Sequence, residues 1–416
     1  MQLNRAQVFT KKGSKMILDT QKLSIAVVFH DADLYSGATS SMLDLIETWV
    51  LESCFNIIGI FPYKGSAVEK MNSWGCDTIL FNYPQFRYSV LEPRIRTIIA
   101  FPLRITRLIL NKILIKSFLA NKLKKFNLSL IYSNTGTIYT GMWLKQKLQL
   151  PHIWHIREFG REDQNYQTIA SDKYHRKIIF ENSDRVIVIS KALMSFLIKD
   201  SSSSITAAKV KIVYDDISFK YDNYFDHNWN EKKILNILIC GSIISGKGHK
   251  QVIDAVSIVN KELKRVQLKI AGTADGSYYE EIKNYIHELE LDESVEFLGH
   301  VDDMNSLRRC CDIGIVASIK EAFGRVTIEG MLSNLVMIGS NTGSTTELIT
   351  HQDTGLLYNQ GDYFDLAEKL MFLYNNREEM YRIARNGYIS ALNFINGKAA
   401  SRISNLIFDV INEKKN

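Results

Sequence analysis

Short apolar runs recur along this chain, and stretches of helical period separate them. A first series comprises Ser24 to Phe29, Asn56 to Phe61, Asp77 to Phe81, Leu128 to Tyr132, His152 to Ile156, Arg185 to Ile189 and Val210 to Val213. A polar, aromatic stretch, Tyr221 to Lys233, interrupts it. A second series then follows at Ile234 to Cys240, Val266 to Ala271, Val295 to Leu298, Ile313 to Ala317 and Leu335 to Ile338. Strands alternating with helices form parallel sheets covered on both faces. The chain is therefore expected to be α/β, with two doubly wound parallel-sheet domains. Its 416 residues, 46% hydrophobic content and only five prolines suit two cores of this kind. The first domain is expected over 23–215 after an extension at 1–22, a linker over 216–232, and the second domain over 233–395. Open sheets bind ligands beyond the carboxyl ends of their strands, so the expected site is the cleft between the domains.

The cysteines, Cys54, Cys76, Cys240, Cys310 and Cys311, form no CxxC pair and have no histidines at ligand spacing. Neither a disulfide framework nor a metal site is expected, and the thiols read as those of a cytoplasmic protein. Met1 to Lys22 lacks the apolar centre of a secretory signal, and no apolar run is long enough for a membrane span. Charge is uneven. Although the chain carries +6, the segment from Phe86 to Lys125 holds ten Lys or Arg against Glu92 alone. Such a segment suits an anionic membrane surface over 87–125. Its apolar residues spread around a helical wheel, so a helix packed on the first sheet with a basic outer face fits equally. Nucleic acid is not an expected partner, because no aromatic stacking platform or reading motif accompanies the charge.

Three strand-to-helix turns of the second domain carry chemistry. The turn Cys240-Gly-Ser-Ile-Ile-Ser-Gly-Lys-Gly-His249 offers glycine backbone and the mobile charge of Lys247 to a phosphate, or is an ordinary glycine-rich turn. It is no P-loop, because Gly248 stands where Ser or Thr is needed. In Ser318-Ile-Lys-Glu-Ala-Phe-Gly-Arg-Val-Thr-Ile-Glu329 a helix is expected to open around Gly324. The N–H groups of Phe323, Gly324 and Arg325 would then meet a diphosphate, with Glu321 before the helix and Glu329 inside it facing one ligand. Asn341-Thr-Gly-Ser-Thr-Thr-Glu347 offers Gly343 and Glu347 to phosphate or sugar hydroxyls, unless Ser344 or Thr345 simply caps a helix. In the first domain, Ser36-Gly37 opens a helix at the cleft, and the strand at His152 ends in His155, Arg157 and Glu158. His155 is read as functional because it stands where polar strand-end residues begin. Asp31-Ala-Asp33 reads as a turn.

Taken together these motifs resemble the retaining glycosyltransferases of the GT-B fold, family 4, from Ser24 to about Ile411. The most specific match is Glu321 and Glu329, seven residues between them, enclosing Phe323-Gly324. The resemblance implies two Rossmann-like domains facing across a cleft and a final helix, 396–416, crossing back to the first domain. It implies that Glu321 lies against the transferred sugar, that Glu329 holds the ribose hydroxyls, and that His155 sits near the sugar. The family's basic phosphate-binding pair is represented by Lys247, with Ser242 at the usual arginine. Thr342-Gly343 and Ser36-Gly37 each stand for a double glycine. The expected catalytic set is thus Glu321, His155 and Lys247. The expected donor contacts are Gly37, Ser242, Lys247, Glu321, Phe323, Gly324, Arg325, Glu329, Gly343 and Glu347.

The phrase His155-Ile-Arg-Glu-Phe159 resembles bacterial members that build capsule, O-antigen or exopolysaccharide. The activity implied is transfer from a nucleoside-diphosphate sugar, with UDP expected, to a glycan or lipid-linked acceptor, without metal or cofactor. The implied place is the cytoplasm, peripheral to the inner face of the membrane. An inactive GT-B binding subunit and a GT-B sugar-nucleotide epimerase are the alternatives.

Overall fold

A computed structural model describes residues 22–88, 94–164, 167–169, 171–199, 208–218, 228–229, 234–263, 265–273 and 276–414. Residues 1–21 of the expected extension at 1–22, most of the linker and the serine run Ser201 to Ser204 lie outside these residues. The first sheet has seven parallel strands: β1 (Ser24–Val28), β2 (Asn56–Phe61), β3 (Asp77–Leu80), β5 (Leu128–Asn134), β6 (His152–Ile156), β8 (Arg185–Val188) and β9 (Val210–Ile212). Their order is β3-β2-β1-β5-β6-β8-β9. A two-stranded antiparallel ribbon joins β4 (Arg87–Tyr88) to β7 (Gln167–Thr168) beside it.

The second sheet has six parallel strands in the order β12-β11-β10-β13-β14-β15. They are β10 (Leu235–Cys240), β11 (Val266–Ala271), β12 (Val295–Gly299), β13 (Ile313–Val316), β14 (Val336–Ser340) and β15 (Leu356–Tyr358). The apolar runs explain these strands, since most of their residues are buried on both faces. In both sheets the strand order reverses beside the first strand, between β1 and β5 and between β10 and β13. Ligand crevices open at such switch points.

Two boundaries differ from expectation. β5 continues past Tyr132 because Ser133 and Asn134 stay in register with Trp154 and His155 of β6. β15 carried no signal, being a three-residue edge strand. One described residue of the linker interval belongs to the second core. Trp229 is fully buried in the second core, its indole N–H donating to Asp312 Oδ1 at 2.9 Å.

The helix Lys398–Glu413 lays Ala400, Ile403 and Ile407 on the first domain with Trp49 and Tyr132, and Trp49 Nε1 donates to Ala400 O. Within the basic segment a helix runs over Arg94–Leu114, largely solvent-exposed rather than laid flat on the sheet. Among the described residues no helix is long and apolar enough to cross a membrane.

Candidate active site

A cleft with about 1440 Å³ of open space lies between the two switch points. Its second-domain wall comes from the turns after β10 and β13. Lys247 ends the short 3-10 turn Ser245–Lys247, and its Nζ lies 3.0 Å from Glu321 Oε2. The Ser318 hydroxyl donates to the same oxygen at 2.7 Å. The Glu321 carboxylate holds the Lys247 pKa above its ordinary value against the opposing effect of burial, so the ammonium stays charged.

Gly324 adopts φ +91° where the chain turns into the helix Arg325–Leu332, a conformation that disfavours side chains. That helix carries Glu329, whose carboxylate accepts from Arg308 and lies 3.7 Å from Arg325 Nε. Arg325 reaches across the cleft, donating to Ser41 Oγ at 2.7 Å and Asp44 Oδ2 at 3.1 Å. Glu321, Phe323, Gly324, Arg325, Glu329, Ser242 and Lys247 all line the cleft. Gly37 lies on the opposite wall, at the start of the helix Gly37–Leu51.

Three expected residues lie elsewhere. His155 is fully buried behind the wall and does not line the cleft. Its Nδ1 receives Arg157 Nη2 at 3.2 Å and faces the Tyr132 hydroxyl at 2.7 Å, while Nε2 has no hydrogen-bond partner among the described residues. An arginine only donates, so Nδ1 is the acceptor and Nε2 carries the proton. Burial pushes the imidazole pKa well below its ordinary value, keeping it neutral. The reason is strand depth: every residue of β6 is buried, and the polar run that reaches the cleft begins at Arg157. Arg157 donates from Nε to Asn134 Oδ1 at 2.7 Å and pairs with Asp215.

Glu347 is also off the wall. It points into the domain interface, accepting from Lys191 N at 2.9 Å, Ala192 N at 2.7 Å and the Tyr214 hydroxyl at 2.6 Å. It thereby serves the first turn of the helix Lys191–Ile198 in the other domain. Gly343 supports the wall from behind, since a Cβ there would come within 2.4 Å of Glu321 O. Ser344 does not cap its helix; its hydroxyl donates to Glu321 O at 3.0 Å.

Other cleft residues were not among the expected set. His30 Nε2 lies 2.9 Å from Asp31 and 3.2 Å from Ser36 Oγ, and Asp31 also accepts from Thr39 at 2.7 Å. Glu158 accepts from Gly136 N at 2.6 Å, and burial raises its pKa. Asp163 accepts from Phe159 N at 3.0 Å and Gly160 N at 2.8 Å; burial lifts its pKa to about 7. The sequence signal for Asp163 was faint: a carboxylate a few residues past a strand end resembles any loop acid.

Residues 220–390 match the family model of glycosyl transferases, group 1. An uncharacterized glycosyltransferase of Methanocaldococcus jannaschii is 28% identical over 250 residues, covering 59% of this chain and 65% of the relative. The capsular polysaccharide biosynthesis glycosyltransferase CapM of Staphylococcus aureus is 24% identical over 245 residues, covering 56% and 64%. The chain thus spans slightly under two thirds of these relatives. The crystal structure of Anabaena HepE in complex with UDP and glucose superposes with a TM-score of 0.72 over 93% of this chain and all of that one, at 18% identity. The two doubly wound domains have the GT-B fold, and the second domain, which supplies the Lys247–Glu321 wall of the cleft, is a group 1 glycosyl transferase domain.

Proposed function

We propose that this protein is a retaining glycosyltransferase that moves a sugar from a nucleoside-diphosphate sugar, with UDP as nucleotide, to a glycan or lipid-linked acceptor in bacterial surface polysaccharide synthesis. The observation that carries the reading is the Lys247–Glu321 pair beside the Phe323–Arg325 helix start on the cleft wall. Cleaving the anomeric bond develops negative charge on the leaving diphosphate. The Lys247 ammonium and the N–H groups of 323–325 are the groups of this chain suited to stabilise it. Glu329 is assigned to the ribose hydroxyls, and Glu321 to positioning the sugar for attack by the acceptor on the face the diphosphate leaves. With a cation already built in, the step proceeds without metal. UDP in HepE and the capsular role in CapM's name support the nucleotide and the pathway. The proposed place is the cytoplasm.

The test is thermal stabilisation by a panel of UDP-, GDP-, ADP- and dTDP-sugars, since a ligand that binds only the folded state raises the melting temperature. A shift with UDP-sugars that is lost in Lys247→Ala, and UDP release that depends on a lipid-linked acceptor, are the expected results. UDP-sugar turnover without acceptor would make the protein an epimerase. No shift with any nucleotide would make it a binding subunit, the reading that Ser242 at the usual arginine favours.

A further inference from the structure

Among the described residues six acids line the cleft: Asp31, Glu158, Asp163, Asp215, Glu321 and Glu329. Four of them face a cation or an imidazole. Asp31 lies 2.9 Å from His30, Asp215 pairs with Arg157, Glu321 lies 3.0 Å from Lys247 Nζ, and Glu329 accepts from Arg308. Glu158 and Asp163 instead accept only backbone N–H groups among the described residues, the former from Gly136 and Arg157, the latter from Phe159 and Gly160. A carboxylate matched to a cation is a weak base, whereas one without such a partner keeps its affinity for a proton.

Position separates these two. Asp163 belongs to the short first-domain helix Arg161–Gln164, and this loop is fastened to both second-domain turns that carry the site. A Cβ at Gly246, next to Lys247, would lie 3.4 Å from Asp163 O. Glu162 pairs with Lys320, the residue before Glu321, and the Lys320 ammonium also stands 4.5 Å from the Phe159 ring and 5.4 Å from that of Phe196. Ile319 N donates to Gly246 O at 2.9 Å and so joins the two turns.

Asp163 is therefore held at the seam between the domains, only 6% exposed yet lining the cleft. Burial first, then the Glu158 and Glu321 carboxylates, lift its pKa to about 7 against the pull of its two N–H donors, and its own charge adds to the hold on the Lys247 proton. Each carboxyl oxygen accepts one N–H and keeps a second lone pair. A base works best when its pKa lies near the working pH.

We propose that Asp163 takes the proton from the attacking hydroxyl during transfer, with Glu162 and Lys320 as the residues that position it. This rests on the transfer reading above. With the donor on the second-domain wall, the acceptor arrives from the first-domain side, where Asp163 stands. Its oxygen bonds to the anomeric carbon while the bond from that carbon to the diphosphate breaks. The electron pair leaves with the diphosphate beside Lys247, and the hydroxyl proton passes to Asp163 and then to water.

The experiment measures UDP release from UDP-glucose and UDP-N-acetylglucosamine, with water standing in for the acceptor, from about pH 5 to about pH 9, and UDP affinity by calorimetry. Wild-type kcat/KM, which reports the free enzyme, should rise about tenfold per pH unit and level off above about pH 7. Asp163→Asn should be about a hundredfold slower or more at pH 8 and lose that rise, without weaker UDP binding. Asp163→Glu, which keeps a carboxyl, should restore the rise. Glu162→Gln, which breaks only the pair with Lys320, should slow release at every pH and leave the midpoint near 7. A wild-type rate independent of pH, or an Asp163→Asn variant that keeps the wild-type profile, would overturn the assignment and leave the proton to the departing diphosphate. Wild type that neither binds nor releases UDP would refute the transfer reading itself.

Discussion

Replacing Glu321 with Gln should tighten nucleotide binding while slowing transfer. Lys247 Nζ lies 3.0 Å from Glu321 and must share its charge between that carboxylate and an incoming diphosphate. Unit charges at this distance attract by about 1.4 kcal/mol in the dielectric of water and about 5.5 kcal/mol at an effective dielectric of 20. The two side chains are 24% and 18% exposed, so solvent screens the pair and the lower figure is the better guide. Releasing about 1.4 kcal/mol to the ligand corresponds to roughly tenfold in Kd. Gln preserves the shape and an oxygen for the Ser318 hydroxyl.

Calorimetric titration with UDP should therefore give up to about tenfold tighter binding for Glu321→Gln and about tenfold weaker binding for Lys247→Ala. The double variant should match Lys247→Ala, because the gain exists only while the ammonium is present. Unchanged or weaker binding by Glu321→Gln would refute the reasoning. So would the same gain without Lys247.

Glu329→Ala should weaken UDP binding by about tenfold or more, the loss of a charged hydrogen bond, and lower the melting temperature because Arg308 is left buried without its carboxylate. Equal affinity in calorimetry would sink the ribose assignment. Glu347→Ala should cost about 1–2 kcal/mol, the scale of a lost helix cap, read as a lower melting temperature by scanning calorimetry. An unchanged melting temperature would deny the interdomain contact. Asp163 binds a proton more tightly folded than unfolded, so wild-type stability should fall as pH rises from about 4 through about 7. Asp163→Asn lacks that loss, and its melting temperature relative to wild type should climb between pH 5 and pH 8. A pH-independent difference between the two would contradict the raised pKa.

Much of the architecture was legible because burial on both faces writes parallel strands as apolar runs, whatever their neighbours. β13 and β14 announced themselves in this way, whereas β15, a three-residue edge strand, did not. The spacing of Glu321 and Glu329 around Phe323-Gly324 was equally readable, since one turn and one helix hold both acids and local geometry alone brings them to one wall.

His155, Glu347 and the basic helix show where local pattern stops. His155 stands at the polar end of its strand, yet the layers around β6 bury it and pass the cleft position to Arg157. Glu347 opens a helix as expected, but the other domain's Lys191 and Ala192 N–H groups capture its carboxylate. Along Ile99 to Phe118 the composition was plain, but only packing reveals which apolar face is spent on the core and which remains outside. Periodicity and turn chemistry depend on neighbours along the chain, so the sequence alone determined the two sheets and the turns that bear the acids. Depth, partner and exposure depend on residues far away in the chain, and those the tertiary structure decided.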